Sequence, residues 1–126
     1  MKVTWLYTGD DGRSHFEDLD VPLEATGYGA HSIDIPSTTT VFSEVPPGKS
    51  LDFHTAPRRQ LVVYLSGVVE MECGDGSKHR VHAGDILLAD DTTGEGHITR
   101  DVEGPRRCLF IHLSPDFDPS IWRVRS

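Results

Sequence analysis

The stretch VVEMECGDGSKHRVH, residues 68–82, decides the fold class. Val69, Met71 and Cys73 alternate with Glu70 and Glu72, which gives residues 68–73 the one apolar and one charged face of a half-buried strand. Cys73 therefore belongs to a core. Gly74-Asp75-Gly76 follows, and because glycine takes positive φ without steric cost, it is a tight reversal into a second strand over 78–82. The pair is a hairpin, and its pattern is repeated along the chain.

Runs at 3–7, 31–35, 39–45, 51–54, 60–65, 85–88, 97–100 and 106–113 share its β-branched and aromatic bias. The 12 Gly and 8 Pro fall between such runs instead of collecting in one linker. None of the runs sustains a helical i, i+3, i+4 pattern over three turns. About ten short strands with no room for crossover helices predict an all-β, antiparallel sandwich or barrel. The 126 residues suit one core, so residues 1–126 are expected to form a single domain.

The charge balance restricts partners. Acidic residues number 20 against 12 basic ones, for a net charge of −8, which repels phosphate backbones and anionic membranes, so no nucleic acid and no membrane is expected. No run approaches the roughly 18 apolar residues of a membrane span, and the first ten residues lack a basic start with an apolar centre, which predicts a cytoplasmic protein. Cys73 and Cys108 are too few for a disulfide framework and form no CxxC pair, so both are expected reduced.

From Gly48 the chain reads GKSLDFHTAPRRQLVVYLSG, and from Gly84 it reads GDILLADDTTGEGHITRD. The two segments resemble the paired motifs of the cupin superfamily. Gly48, His54, Gln60 and Gly67 stand at the spacings of the first motif, with Ala56 at its second His position and Gln60 in place of its Glu. Gly84, Asp85 and His97 fit the second, with the loop 90–96 replacing the usual Pro-x-Gly turn. The motifs and the hairpin between them span about half the chain. The resemblance implies a small single-domain cupin, a double-stranded β-helix or jelly roll holding one divalent metal and a small ligand. It implies His54, His97 and Gln60 as metal ligands, for Fe, Mn, Zn or Ni, with a degenerate first motif.

Residue chemistry bears on each position. Neutral imidazole suits these metals, whereas a Gln60 carbonyl brings no charge to offset the cation. The competing reading of His54 and His97 is a hydrogen-bonded pair in a metal-free pocket. Strand parity puts Gln60, Val62 and Tyr64 on one face, where Tyr64 is either a proton donor or acceptor or a buried structural phenol. Arg58 shares that parity and is read as a clamp for a carboxylate, or else as half of a solvated pair with Arg59. His112 alternates with Cys108 and Phe110; if Leu109, Ile111 and Leu113 face outward into a dimer interface, His112 points inward. Asp90, Asp91 and Glu95 are either a pocket rim or solvated turn, and His15, His31, His79 and His82 are expected at the surface.

No Gly-x-Ser-x-Gly elbow, phosphate loop or dinucleotide fingerprint occurs, which excludes the corresponding hydrolase, kinase and dehydrogenase designs. The expected function is a metal-dependent small-molecule enzyme, either a dioxygenase or a lyase, isomerase or cyclase, acting on a carbonyl or carboxylate compound. The alternative is a non-catalytic ligand-binding or sensory barrel. A homodimer is expected as well, covering the exposed strands and apolar residues such as Trp5, Leu6, Ile121 and Trp122.

Overall fold

The computed structural model describes residues 1–124. Ten strands follow one another: β1 (Lys2–Thr8), β2 (Ser14–Asp20), β3 (Glu24–Ala25), β4 (Ala30–His31), β5 (Ser37–Val45), β6 (Leu51–His54), β7 (Gln60–Cys73), β8 (Lys78–His82), β9 (Ile86–Asp90) and β10 (His97–Leu113). A short 3-10 turn over Pro119–Trp122 closes the chain, capped by Asp118, whose carboxylate accepts from the Ser120 N–H. Eight strands form one mixed sheet in the order β2-β1-β9-β7-β10-β5, with β6 beside β10 and β8 beside β7, and β3 and β4 pair separately.

The expected hairpin is present, with β7 and β8 antiparallel from Val68↔His82 to Glu72↔Lys78. Its turn uses positive φ at Gly76 alone. The antiparallel expectation needs one correction, since β1 runs parallel to β9 from Thr4↔Leu87 to Tyr7↔Asp90. Residues 14–20, too charged to read as a strand, form one because β1 offers its free edge from Lys2↔Asp20 to Thr8↔Ser14. Of the run at 31–35 only His31 is in a strand.

The runs at 60–65 and 68–73 are one strand, and so are those at 97–100 and 106–113. Gly67 explains the first fusion. Its φ is 86°, and a Cβ there would lie 3.0 Å from the Glu103 carbonyl oxygen and 3.1 Å from that of Pro105, so β7 turns tightly against β10 without breaking. The β7–β10 register shifts between Asp101 and Glu103, between Glu103 and Arg107, and between Arg107 and Cys108. Such shifts bend the strands and reverse which residues point inward. Gln60, Val62 and Tyr64 face inward from the first half of β7, and Met71 from the second; His97 and Thr99 do so early in β10, and Cys108, Phe110 and His112 late. Both halves of the two long strands thereby wall one interior, and the fold is an all-β jelly roll.

Two apolar clusters hold it. Leu6, Val62, Tyr64, Val69, Met71 and Cys73 are among the first, against the interior. The second packs Val3, Trp5, Leu19, Leu88, Leu113 and Trp122 on the opposite side of β1 and β9, with Ile111 against it. Burying one such aliphatic side chain is worth about 1.5–3 kcal/mol. Trp5, Leu6 and Trp122 are thus covered by their own chain, and Ile121 alone of the four apolar residues named above is exposed. Leu113 is likewise buried in this cluster, and Ile111 packs against it. No helix among the described residues is long and apolar enough to cross a membrane.

Candidate functional site

The bent sheet encloses a cavity of about 380 Å³, within the ordinary range of small-molecule sites. Its wall is organised in rows. His112 stands between Thr39 of β5 and Gln60 of β7, Phe110 between Val41 and Val62, and Cys108 between Ser43 and Tyr64. Polar rows therefore flank an apolar middle. His54, Arg58, Gln60, Tyr64, His97 and His112, the six site residues expected from the sequence, all line this one cavity. His112 reaches it through its strand parity, although Leu113 of the set opposite it is intramolecular core and Ile111 packs against that core.

His54 and His97 are register partners on β6 and β10, their ring centroids 4.4 Å apart and their planes inclined at 52°. The approach depends on Gly96. Its φ is 79°, and a Cβ would sit 2.1 Å from the His54 carbonyl oxygen, so any other residue would push the two strands apart. The loop 90–96 therefore has a definite task, which is to bring His97 against His54.

Each imidazole is oriented through Nδ1. His97 Nδ1 donates to Asp91 Oδ2 at 2.6 Å, and His54 Nδ1 donates to the Asp52 carbonyl oxygen at 2.8 Å. With Nδ1 so engaged, Nε2 of each ring is the nitrogen left for a ligand. Asp91 is fully buried, also accepts from Ser14 Oγ at 2.6 Å, and keeps Oδ1 without a partner among the described residues. It is neither pocket rim nor solvated turn; it stands behind His97. Asp90 receives Arg59 Nε at 2.8 Å and Trp5 Nε1 at 3.0 Å, so Arg59 is held in an ion pair apart from Arg58. Glu95 lies outside the cavity, 3.9 Å from Arg13.

Tyr64 is buried, and burial pushes its phenol well above the ordinary range, with Cys108 adding to the rise and Arg106 opposing it. It is therefore a neutral hydrogen-bonding group on the cavity wall. His112 Nδ1 is hydrogen-bonded to Thr39 Oγ1. Among the remaining histidines, His31 and His82 are exposed as expected, while His79 is half-buried against Phe16, where burial lowers its pKa. Sequence reasoning missed Asp91 as an orienting group, and it missed Arg106, whose side chain also lines the cavity. The even parity shared by Arg106, Cys108, Phe110 and His112 was the available signal for the latter.

A metal site must be judged on these donors. Two imidazoles with engaged Nδ1 atoms suit a borderline divalent ion, and Gln60 supplies one neutral oxygen. No group of three His, Cys, Asp or Glu side chains converges among the described residues. The two imidazoles and the Gln60 amide share one cavity wall, a donor set that offers an ion less charge compensation than one with a carboxylate.

No protein-family model matches the chain, and no curated protein sequence matches it significantly. Strand order and cavity define its class as an all-β jelly roll with a cavity inside its bent sheet. Among solved structures it is similar to a conserved protein of unknown function from Streptococcus pyogenes, at 20% identity over 68% of this chain and 72% of that one, with a TM-score of 0.47. It is similar also to a predicted oxalate decarboxylase from Thermotoga maritima, at 17% identity over 90% and 94% of the two chains, TM-score 0.42. A cupin domain from Schizosaccharomyces pombe shows 9% identity over 90% of this chain and 84% of that one, TM-score 0.44.

Proposed function

We propose that the cavity binds a small organic molecule for chemistry at the His54–His97 pair, and that one divalent ion, held by both imidazoles and Gln60, is part of that site. The observation that carries the metal reading is the hydrogen bonding of both Nδ1 atoms, which leaves two Nε2 lone pairs for the cavity. An ion there would polarise a carbonyl oxygen of the ligand. Around it the chain's own groups divide the work. Asp91 fixes the ring of His97 and favours its Nδ1–H tautomer. Tyr64, neutral and buried, donates a hydrogen bond or a proton to developing negative charge on the ligand. Phe110 and Val62 make the middle of the cavity apolar, which strengthens polar contacts beside it.

A second reading keeps the cavity and drops the ion. Its support is the short donor set, with no third His, Cys, Asp or Glu among the described residues. His54 and His97 then bind the ligand directly, as in a binding or sensory barrel. Elemental analysis and metal titration by calorimetry, on protein prepared without a nickel affinity step, separate the two. One ion per chain, lost in His54→Ala and in His97→Ala, supports the metal reading; wild-type metal affinity in both variants, or none in the native protein, overturns it.

A further inference from the structure

The distribution of arginines is uneven in a way that bears on the ligand. Eight of them are among the described residues, and Arg13, Arg59, Arg80, Arg100, Arg107 and Arg123 each lie within 4.0 Å of a carboxylate oxygen. Arg58 and Arg106 have no such partner among the described residues, and both line the cavity. Acidic groups outnumber basic ones 20 to 12 in this protein, so carboxylates are plentiful elsewhere on its surface. Among the described residues, no carboxylate lines the cavity.

Position adds to the charge argument. Arg106 is half-buried at the end of the row Arg106, Cys108, Phe110, His112, opposite Val45, and its charge is felt at both Tyr64 and Cys108. Arg58 is exposed, just before β7, on the same parity as Gln60. A half-buried guanidinium without a counter-ion is costly, and an anion bound beside it offsets that cost. Its planar fork of N–H donors matches a carboxylate in two parallel hydrogen bonds. Between Arg106 and His112 the wall has an apolar row of Val41, Phe110 and Val62, whereas Arg58 stands at the Gln60 end.

We propose that the cavity selects small monocarboxylates with an apolar body, Arg106 taking the carboxylate and Arg58 adding charge at the mouth. The proposal rests on the small-molecule reading above, but not on the metal. The small cavity and its apolar middle favour a carboxylate over a bulkier, more hydrated phosphate.

Calorimetric titration of the intact protein with benzoate, phenylacetate and hexanoate, each against its primary amide, tests this. At least one acid is expected to bind about tenfold or more tightly than its amide, the equivalent of one charge-assisted hydrogen bond. Arg106→Gln is expected to erase that preference while amide binding stays the same, and Arg106→Lys to restore part of it. Arg58→Gln is expected to give a smaller loss that disappears at high salt. Equal binding of acid and amide overturns the anion proposal and leaves the small-molecule reading standing. Unchanged preference in Arg106→Gln overturns the assignment of Arg106, and failure of every probe to bind overturns both proposal and reading. The His54→Ala variant, with its metal affinity measured separately, is expected to keep the acid preference.

Discussion

The imidazole of His97 donates to the carboxylate of Asp91 across 2.6 Å, and that carboxylate is sealed from solvent between His97 and Ser14. A buried carboxyl group is costly unless hydrogen-bonded, and the two bonds that Oδ2 accepts here hold one imidazole in a fixed orientation. In Asp91→Asn the amide can still accept at the same position, but the attraction that favours the Nδ1–H tautomer is gone. Metal affinity is expected to fall about 10- to 100-fold, the usual penalty for losing such an outer partner. Calorimetry of the folded variant measures this, and an unchanged affinity would sink the assigned role. Ser14→Ala, which removes only the second bond, is expected to have a smaller effect.

Gln60→Glu is expected to raise metal affinity, and Ala56→His combined with Gln60→Glu to raise it further. A carboxylate adds a negative charge beside the ion, and Ala56 is buried on the cavity wall where an added imidazole would supply one more donor. The same charge lowers the ion's power to polarise a ligand, so binding and reactivity are expected to move in opposite directions. No gain in either variant on calorimetric titration would show that these positions do not face the ion.

The two thiols predict an alkaline weakness. Burial pushes Cys73 up to about 11 from an ordinary value of 9.0, and it also raises Cys108. A raised acid pKa means that the fold favours the protonated thiol. Its stabilisation is complete below pH 9, declines as the unfolded chain begins to ionise, and is lost as pH passes the folded value near 11. Melting temperature is expected to fall across that window, and Cys73→Ser is expected to flatten the fall even if it lowers stability at neutral pH. A disulfide-exchange reagent at pH 8 is expected not to label Cys73 until the protein unfolds, because it is buried in the core away from the cavity.

The homodimer expectation passes to other residues. β5 is the end strand of the sheet path, nine residues long and bonded to β10 alone, and Phe42 on it is 84% exposed. An unpaired edge of that length is a template for another strand, and a two-fold axis lets the same edge pair with itself. We propose a dimer of two β5 edges, with Phe42 against its symmetry mate. Light scattering is expected to give twice 14.0 kDa for the native chain and 14.0 kDa for Phe42→Glu. A native particle of 14.0 kDa would refute the dimer.

Alternation and spacing by themselves determined the hairpin at 68–82, the all-β class and the inward parity of Gln60, Val62 and Tyr64, because a strand's period of two is a local property of the backbone. Motif spacing also placed His54 and His97 in one cavity. Three things had no local signal. The fusion of two pairs of runs into β7 and β10 depends on Gly67 passing close to Glu103 and Pro105, residues far away in sequence. Residues 14–20 became a strand through the free edge of β1, which their own charged composition does not announce. Asp91 looked like part of a solvated loop, and only the approach of Ser14 and His97 from separate strands made it a buried orienting group. The same holds for Arg106: its charge is written in the sequence, but the lack of a carboxylate beside it is a property of the packed sheet. Side-chain direction follows from the local chain, whereas burial and charge pairing depend on which distant strands the fold brings together.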